Sequence, residues 1–390
     1  MNDSFDVKAT VEAGFEALRR GDPNSARDSF AQVIAAGKAN ANVWYGLSLV
    51  HRSSGAASEE DAALDQCLGL NPGHIPALIS KGDRYAQSGD SRAASSYYRT
   101  ALEMAASKPS LAPQLRADLQ RVETIYRRFE QEFEKYLLTA LGNTGVAGPG
   151  AERFNHALEL LIGRRQIYFQ QPKYFFFPEL AHVQFFEREH FPWAGRLEQK
   201  TQAIRAELRE LLIHGMGFEP YIKPESERPN FNPRGLLNNA DWSAFYLIRN
   251  GAEVADNAAR CPNTMAALRE VPMCQMKGRT PSVLFSLLRP GAHIRPHHGF
   301  TNVRLICHLP LLVPAKCGMR VGNETRPWHE GKLTIFDDSM EHEAWNSSDE
   351  LRVVLLFDIW RPELSQIERE LITAMMTSID SFGPRREWTD

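Results

Sequence analysis

The chain has 390 residues, 43% of them hydrophobic and 24% charged, and a formal net charge of −3. That length is too great for one typical core and predicts two domains. The near-neutral charge gives no basis for nucleic acid or an anionic membrane as the main partner, and no apolar run approaches the ~18 residues of a transmembrane helix. The N-terminus MNDSFDVKAT has neither a basic n-region nor an apolar core, so no signal peptide is expected. Five cysteines (Cys67, Cys261, Cys274, Cys307, Cys317) are an odd number without CxxC spacing. They argue against a zinc ribbon or a disulfide scaffold and predict a reducing, cytoplasmic location.

The first hundred residues repeat. Gly21, Gly55 and Gly89 are spaced 34 apart, as are Phe30, Leu64 and Tyr98, and Ile34, Leu68 and Leu102. That period is the one of tetratricopeptide helix pairs. The glycines fall at the turn inside each pair, and the second and third ladders fall on the packing face of the second helix. Ala26 and Ala94 match as small residues, but Glu60 stands between them. About three degenerate repeats are expected over residues 8–106, giving a surface suited to an extended peptide or a protein partner, or else a spacer. Residues 108–138 are charged with helical period and are expected to cap the repeats. Residues 142–150, GNTGVAGPG, form the expected linker. The domains expected are therefore 1–107 (repeats), 108–150 (helical cap and Gly-rich linker) and 151–390.

Past the linker, residues 154–167 have amphipathic helical period, and YFQQPKYFFFPEL is dense in aromatics broken by Pro172 and Pro178. Without interleaved Lys and Arg it reads as packing beneath a sheet, not as a platform for bases. Helical period returns over 193–213. Residues 219–240 carry four prolines and read as a long loop of the kind that borders binding sites. Residues 241–250 read as strand, 261–271 as a short helix and 283–288 as strand.

The stretch 290–360 carries the chemistry. Its strands alternate: Val303, Leu305, Cys307 and Leu309 share one face, and Arg304, Ile306 and His308 share the other. Arg352, Val354 and Leu356 share a face of a later strand. An Arg and a His pointing inward suit a small barrel with a ligand in its lumen better than an ordinary core. Two histidines, His297 and His342, stand 45 residues apart at the edges of strand-like runs, and Arg352 lies ten residues beyond. Non-haem iron sites commonly use two histidines and a carboxylate, with HxD or HxE on one strand. Here His297-His298-Gly299 has the HxG form, so the spacing gives an iron and 2-oxoglutarate site with one ligand vacant, and Arg352 is placed to hold a dicarboxylate.

The stretch SLLRPGAHIRPHHGFTNVRLICHLPLLVP and the later GKLTIFDDSMEHEAWNSSDELRVVLLFDIWRPEL resemble the aspartyl/asparaginyl β-hydroxylase family. The resemblance covers roughly 150–365 and is strongest over 282–364. It implies an α+β multidomain chain: tetratricopeptide-like helical repeats, then a double-stranded β-helix (cupin or jelly-roll) oxygenase domain with flanking helices. It implies Fe(II) held by His297 and His342, with Gly299 at the place of the missing carboxylate. Ser286 and Arg352 match the residues that hold the distal carboxylate of 2-oxoglutarate, and His308 matches a histidine near its other end. Ile306 stands where an arginine is expected. Arg304 matches the arginine that contacts the substrate side chain.

The activity implied is dioxygenase hydroxylation with Fe(II), 2-oxoglutarate and O2 at the β-carbon of an Asp- or Asn-type residue. The substrate would be a peptide, a protein or an amino-acid derivative, possible cargo for the repeats. Two alternatives stand beside it: a 2-oxoglutarate halogenase, since Gly299 leaves room for chloride, and a non-catalytic interaction protein with a degenerate barrel. Asp338 is expected either to cap a turn or to orient a ligand histidine.

Overall fold

The computed structural model describes residues 6–142, 146, 148, 150–215, 217–223, 235 and 237–382. The chain divides into two compact units, 1–164 and 165–390. No helix among the described residues is long and apolar enough to cross a membrane.

The first unit is helical. Three helix pairs run α1 (Val7–Arg19) with α2 (Pro23–Ala35), α3 (Ala41–Ser53) with α4 (Ala57–Leu70), and α5 (Ile75–Gln87) with α6 (Ser91–Ala106). Gly21, Gly55 and Gly89 sit in the turn of each pair at φ +74°, +70° and +83°, where a side chain would be strained. Phe30, Leu64 and Tyr98 are fully buried in the second helices. Side-chain caps fix several helix starts, with Asp22, Asn40 and Asp90 accepting from the backbone N–H of Ser25, Val43 and Ala93. Glu60, the misfit in the small-residue ladder, is buried against Arg52 at 2.7 Å, so a charge pair replaces a methyl contact. The cap is one long helix, α7 (Pro113–Leu141), followed by α8 (Glu152–Leu161). The helix expected to open the second domain thus lies in the first unit. Most of the expected linker, 143–145, 147 and 149, lies outside the described residues.

The second unit is built on two antiparallel sheets. Its strands are β1 (Phe185–Phe186), β2 (Glu219–Pro220), β3 (Trp242–Arg249), β4 (Ala252–Glu253), β5 (Val283–Leu288), β6 (His293–His297), β7 (Arg304–Leu312), β8 (Cys317–Val321), β9 (Glu324–Pro327), β10 (Thr334–Phe336), β11 (His342–Asn346) and β12 (Arg352–Trp360). The larger sheet has the order β1-β10-β7-β12-β5-β3-β2, with β4 beside β3, and the smaller has β6-β11-β8-β9. From β5 onward the chain passes back and forth between the two sheets.

Period-2 alternation gives the larger sheet two apolar faces. Phe285, Leu305, Cys307, Leu309, Leu355 and Phe357 pack on one side with α9 (Ala194–Glu198), α10 (Thr201–Ile213) and α12 (Pro262–Leu268). Leu284, Leu288, Ile306 and Leu356 face the smaller sheet's Ile294, Met319, Val321 and Ala344. The short α11 (Ala255–Ala258) follows β4, and α13 (Gln366–Ser381) closes the described chain behind a Ser365–Glu368 capping box. Of the long loop expected over 219–240, residues 224–234 and 236 lie outside the described residues.

Candidate active site

A cleft of about 100 Å³ opens between the two sheets, room for a small ligand. All six residues singled out in the sequence line it: Ser286 from β5, His297 from β6, Arg304 and His308 from β7, His342 from β11 and Arg352 from β12. His297 ends its strand and His342 begins the neighbouring one, and the two are partners in the β6–β11 register. That register, 45 residues apart in sequence, brings the ring centroids to 4.1 Å.

Each imidazole is held the same way. Nδ1 of His297 donates to the Arg295 carbonyl at 2.9 Å, and Nδ1 of His342 donates to the Met340 carbonyl at 3.0 Å. A carbonyl only accepts, so both rings carry their proton on Nδ1 and their lone pair on Nε2, the tautomer a metal ligand needs. Burial, then the charge His297 would carry, push the His342 pKa well below the usual histidine range and keep it neutral. Among the described residues, no group of three or more His, Cys, Asp or Glu is placed to hold a metal ion.

Gly299 faces the carboxylate of Asp338. A Cβ at 299 would lie 2.0 Å from Asp338 Oδ2, so no side chain fits there. The Gly299 N–H donates to the Asp338 carbonyl at 2.6 Å, and Arg304 Nη2 donates to Asp338 Oδ2 at 3.3 Å. The space that the glycine was expected to leave for chloride therefore holds a carboxylate, whose charge repels a halide. Asp338 meets Gly299 and Arg304 from the other side of the cleft, contacts that neither the turn-capping nor the histidine-orienting expectation foresaw.

The opposite end is cationic. Arg352 is 1% exposed, donates from Nη1 to the Ser286 carbonyl at 3.3 Å, and leaves Nε without a partner. Its guanidinium lies 4.5 Å over the Trp328 ring. Burial lowers its pKa to about 10, still charged at neutral pH. The Ser286 hydroxyl accepts from Trp242 Nε1 at 3.2 Å. His308 is held down to about 3 by burial and then by Arg352, so it is neutral, and its Nδ1 is buried without a partner. A buried guanidinium whose hydrogen-bonding is incomplete costs several kcal/mol unless something anionic reaches it. Ile306, on the same strand face between Arg304 and His308, adds an apolar wall where the resemblance expected an arginine.

Sequence reasoning missed three features. Trp242 and Lys173 line the cleft from segments not assigned to it. Trp328 underlies Arg352 from just past β9. Asp337 accepts from the Ser339 backbone N–H and also forms a fully buried ion pair with Arg361 at 2.7 Å.

Residues 198–362 match the family model described as aspartyl/asparaginyl beta-hydroxylase. This segment is similar to that family. The hydroxylase-family segment is 36% identical over 194 residues to the ornithine lipid ester-linked acyl 2-hydroxylase of Rhizobium tropici, covering 48% of this chain and 63% of that protein. It is 39% identical over 183 residues to the aspartyl/asparaginyl beta-hydroxylase of Mus musculus, covering 46% of this chain and 23% of that one. The human aspartate beta-hydroxylase domain-containing protein 2 is 33% identical over 207 residues, 52% of this chain and 54% of that one. The chain thus spans less than two thirds of the length of each of these relatives. Of solved structures, the tetratricopeptide protein TTC0263 from Thermus thermophilus overlays at a TM-score of 0.28, 17% identical, covering 42% of this chain and 82% of that one, which is weak.

Proposed function

We propose that the second unit is an Fe(II)- and 2-oxoglutarate-dependent hydroxylase, with the strands from β5 to β12 forming a double-stranded β-helix. Their alternation between sheets supports that fold reading. The observation that carries the function is one juxtaposition. Two half-buried histidines, both with Nδ1 committed to backbone carbonyls, share a cleft with a charged, buried Arg352 whose Nε has no partner.

His297 and His342 would hold the metal, which supplies oxygen activation coupled to conversion of 2-oxoglutarate to succinate and CO2. The protein's own residues bind and orient. Arg352 and the Ser286 hydroxyl meet the distal carboxylate, where a buried guanidinium is strongest. Neutral His308 offers a ring nitrogen near the other end of the dicarboxylate. Trp242, Phe336 and Ile306 keep water from the reacting carbon. The intact set also weighs against a non-catalytic barrel, because buried polar groups without partners are destabilising when they bind nothing.

Two substrate classes follow from the relatives' names. An Asp- or Asn-type residue, presented by a peptide or protein that the helical repeats hold, would place its side chain against Arg304. The second reading is an acyl chain hydroxylated beside its carbonyl. It is favoured by Ile306 and by Arg304 being compensated already, at 3.3 Å from Asp338 and 3.7 Å from Asp358. The test supplies Fe(II), ascorbate, O2 and 2-oxoglutarate and follows succinate by NMR, with Asp-containing peptides and acyl esters added separately. Succinate from wild type and none from His342→Ala is expected. Equal succinate from both would overturn the proposal. In an Arg304→Ala variant, loss of peptide hydroxylation with acyl hydroxylation retained would assign both substrate roles.

A further inference from the structure

Helix α13 has two apolar faces. On one, Ile372 and Met376 are buried among Met276, Val303 and Leu364. On the other, Ile367, Leu371, Met375 and Ile379 recur every four residues, and Phe382 follows the last turn. Ile367 is 68% exposed, Leu371 64% and Phe382 93%. Beside this ridge runs a second exposed row, Gln366, Glu370, Ala374 and Ser378, whose later half is small. A ridge of large side chains at i±4 spacing next to a shallow groove is the surface that packs on another helix, at a crossing angle of about −50°.

We propose that this ridge is an interface between two copies of the chain, with α13 crossing its symmetry mate. Three observations select that occupant. The ridge is nearly palindromic about Met375. In an antiparallel pairing Leu371 meets the second copy's Ile379, Met375 meets Met375, and Ile367 meets Phe382. A two-fold interface needs this self-complementarity, since each patch must fit itself. Charge points the same way. The acidic Glu368, Glu370 and Asp380 outnumber Arg369 on α13, and neither exposed row holds a cation, which is the wrong composition for a helix lying on an anionic lipid surface. Area agrees too. The five side chains leave on the order of 600 Å² per copy, hence about 1,200 Å² for the pair, at the lower bound of specific interfaces.

The interface also reaches the cleft. Asp380, in the last turn of α13, accepts from Arg279 Nε at 3.0 Å and Nη2 at 2.6 Å. The Arg279 guanidinium is buried over Tyr174 at 5.2 Å and Phe300 at 5.5 Å. Phe300 follows Gly299 directly, so the helix at the interface is tied to the loop that forms one wall of the cleft.

Light scattering on the full chain at about 50 µM, a concentration that populates a micromolar dimer, should give twice the 44.1 kDa chain mass. The Leu371→Glu/Met375→Glu double variant should run as the single chain, its dissociation constant raised at least ~30-fold, as loss of a hot spot does. Both positions are exposed, and a cooperative melt like that of wild type verifies that the variant folds. Ala374→Cys, beside the two-fold axis, should form an interchain disulfide under mild oxidation, while Thr325→Cys on the edge strand β9 should not. A wild type that stays monomeric, a dimer unaffected by the double variant, or equal cross-linking at both cysteines would each overturn the proposal.

Discussion

In the helical unit Glu60 is buried and meets Arg52 at 2.7 Å, and the nearly buried Lys81 meets Asp65 at 2.8 Å and Asp61 at 3.5 Å. Asp83 takes a two-pronged contact from Arg121, both prongs at 2.9 Å, together with the Tyr98 hydroxyl. In the cleft of the second unit Arg352 is more deeply buried than any of these charged groups, yet its Nε meets nothing, and neither does Nδ1 of His308. The difference separates polar groups that hold a fold from polar groups that await a ligand. The first kind brings its counter-charge from the same chain; the second leaves a place for one. The contrast also runs inside the second unit, where the Arg361–Asp337 pair is as buried as Arg352 but matched at 2.7 Å.

Breaking a matched pair should cost most. Arg361→Met strands the Asp337 carboxylate in the core and should lower stability by about 3–5 kcal/mol, read by urea denaturation. A loss below about 1 kcal/mol would remove the distinction between matched and unmatched groups.

Acid should probe the cleft next. His308 stays neutral in the fold down to about 3, whereas in the unfolded chain it takes up a proton near 6.5. Below pH 6.5 the unfolded state therefore binds the extra proton, and the stability of the metal-free protein should fall from pH 6.5 towards 3 by an amount on the order of a few kcal/mol. His308→Gln should make that slope shallower, with the remainder due in part to His342, which burial also holds neutral; an unchanged slope would mean that the His308 ring is not held neutral by burial.

The Glu60–Arg52 pair should cost less, because the Arg52 side chain is partly solvated. Glu60→Ala should lower stability by about 1–2 kcal/mol and leave 2-oxoglutarate affinity unchanged. A change in affinity would mean that the two units are not energetically separate.

Much of this contrast was legible in the sequence where a period carried it. The 34-residue ladders located the helix pairs, and a fourth ladder, Gly14, Ser48 and Gly82, was present but unused. It is a packing requirement: a Cβ at Gly14 would meet Phe30 at 2.7 Å, and one at Gly82 would meet Tyr98 at 2.5 Å. Alternation along β7 correctly turned Arg304, Ile306 and His308 into the cleft and Cys307 away. Period does not encode which strands pair, so the contact of Asp338 with Gly299, 39 positions earlier, was invisible. The Trp328 ring beneath Arg352 was hidden for the same reason, since it lies just past the four-residue strand β9, too short for a period to be read. The helix α8 lies beyond the glycine-rich segment yet within the first unit, because flexible composition marks where a chain can bend and not which side its next helix packs on.

The central claim is that Arg352 is unmatched because 2-oxoglutarate supplies its counter-charge. Calorimetric titration of 2-oxoglutarate in the presence of Mn(II), on wild type and on Arg352→Met, tests it most directly. Wild type should bind, and the variant should bind at least ~100-fold more weakly while being no less stable than wild type, since an unpaired buried charge has been removed. Equal affinity in the two proteins, or a variant that binds normally but unfolds easily, would make Arg352 a structural residue and contradict the account.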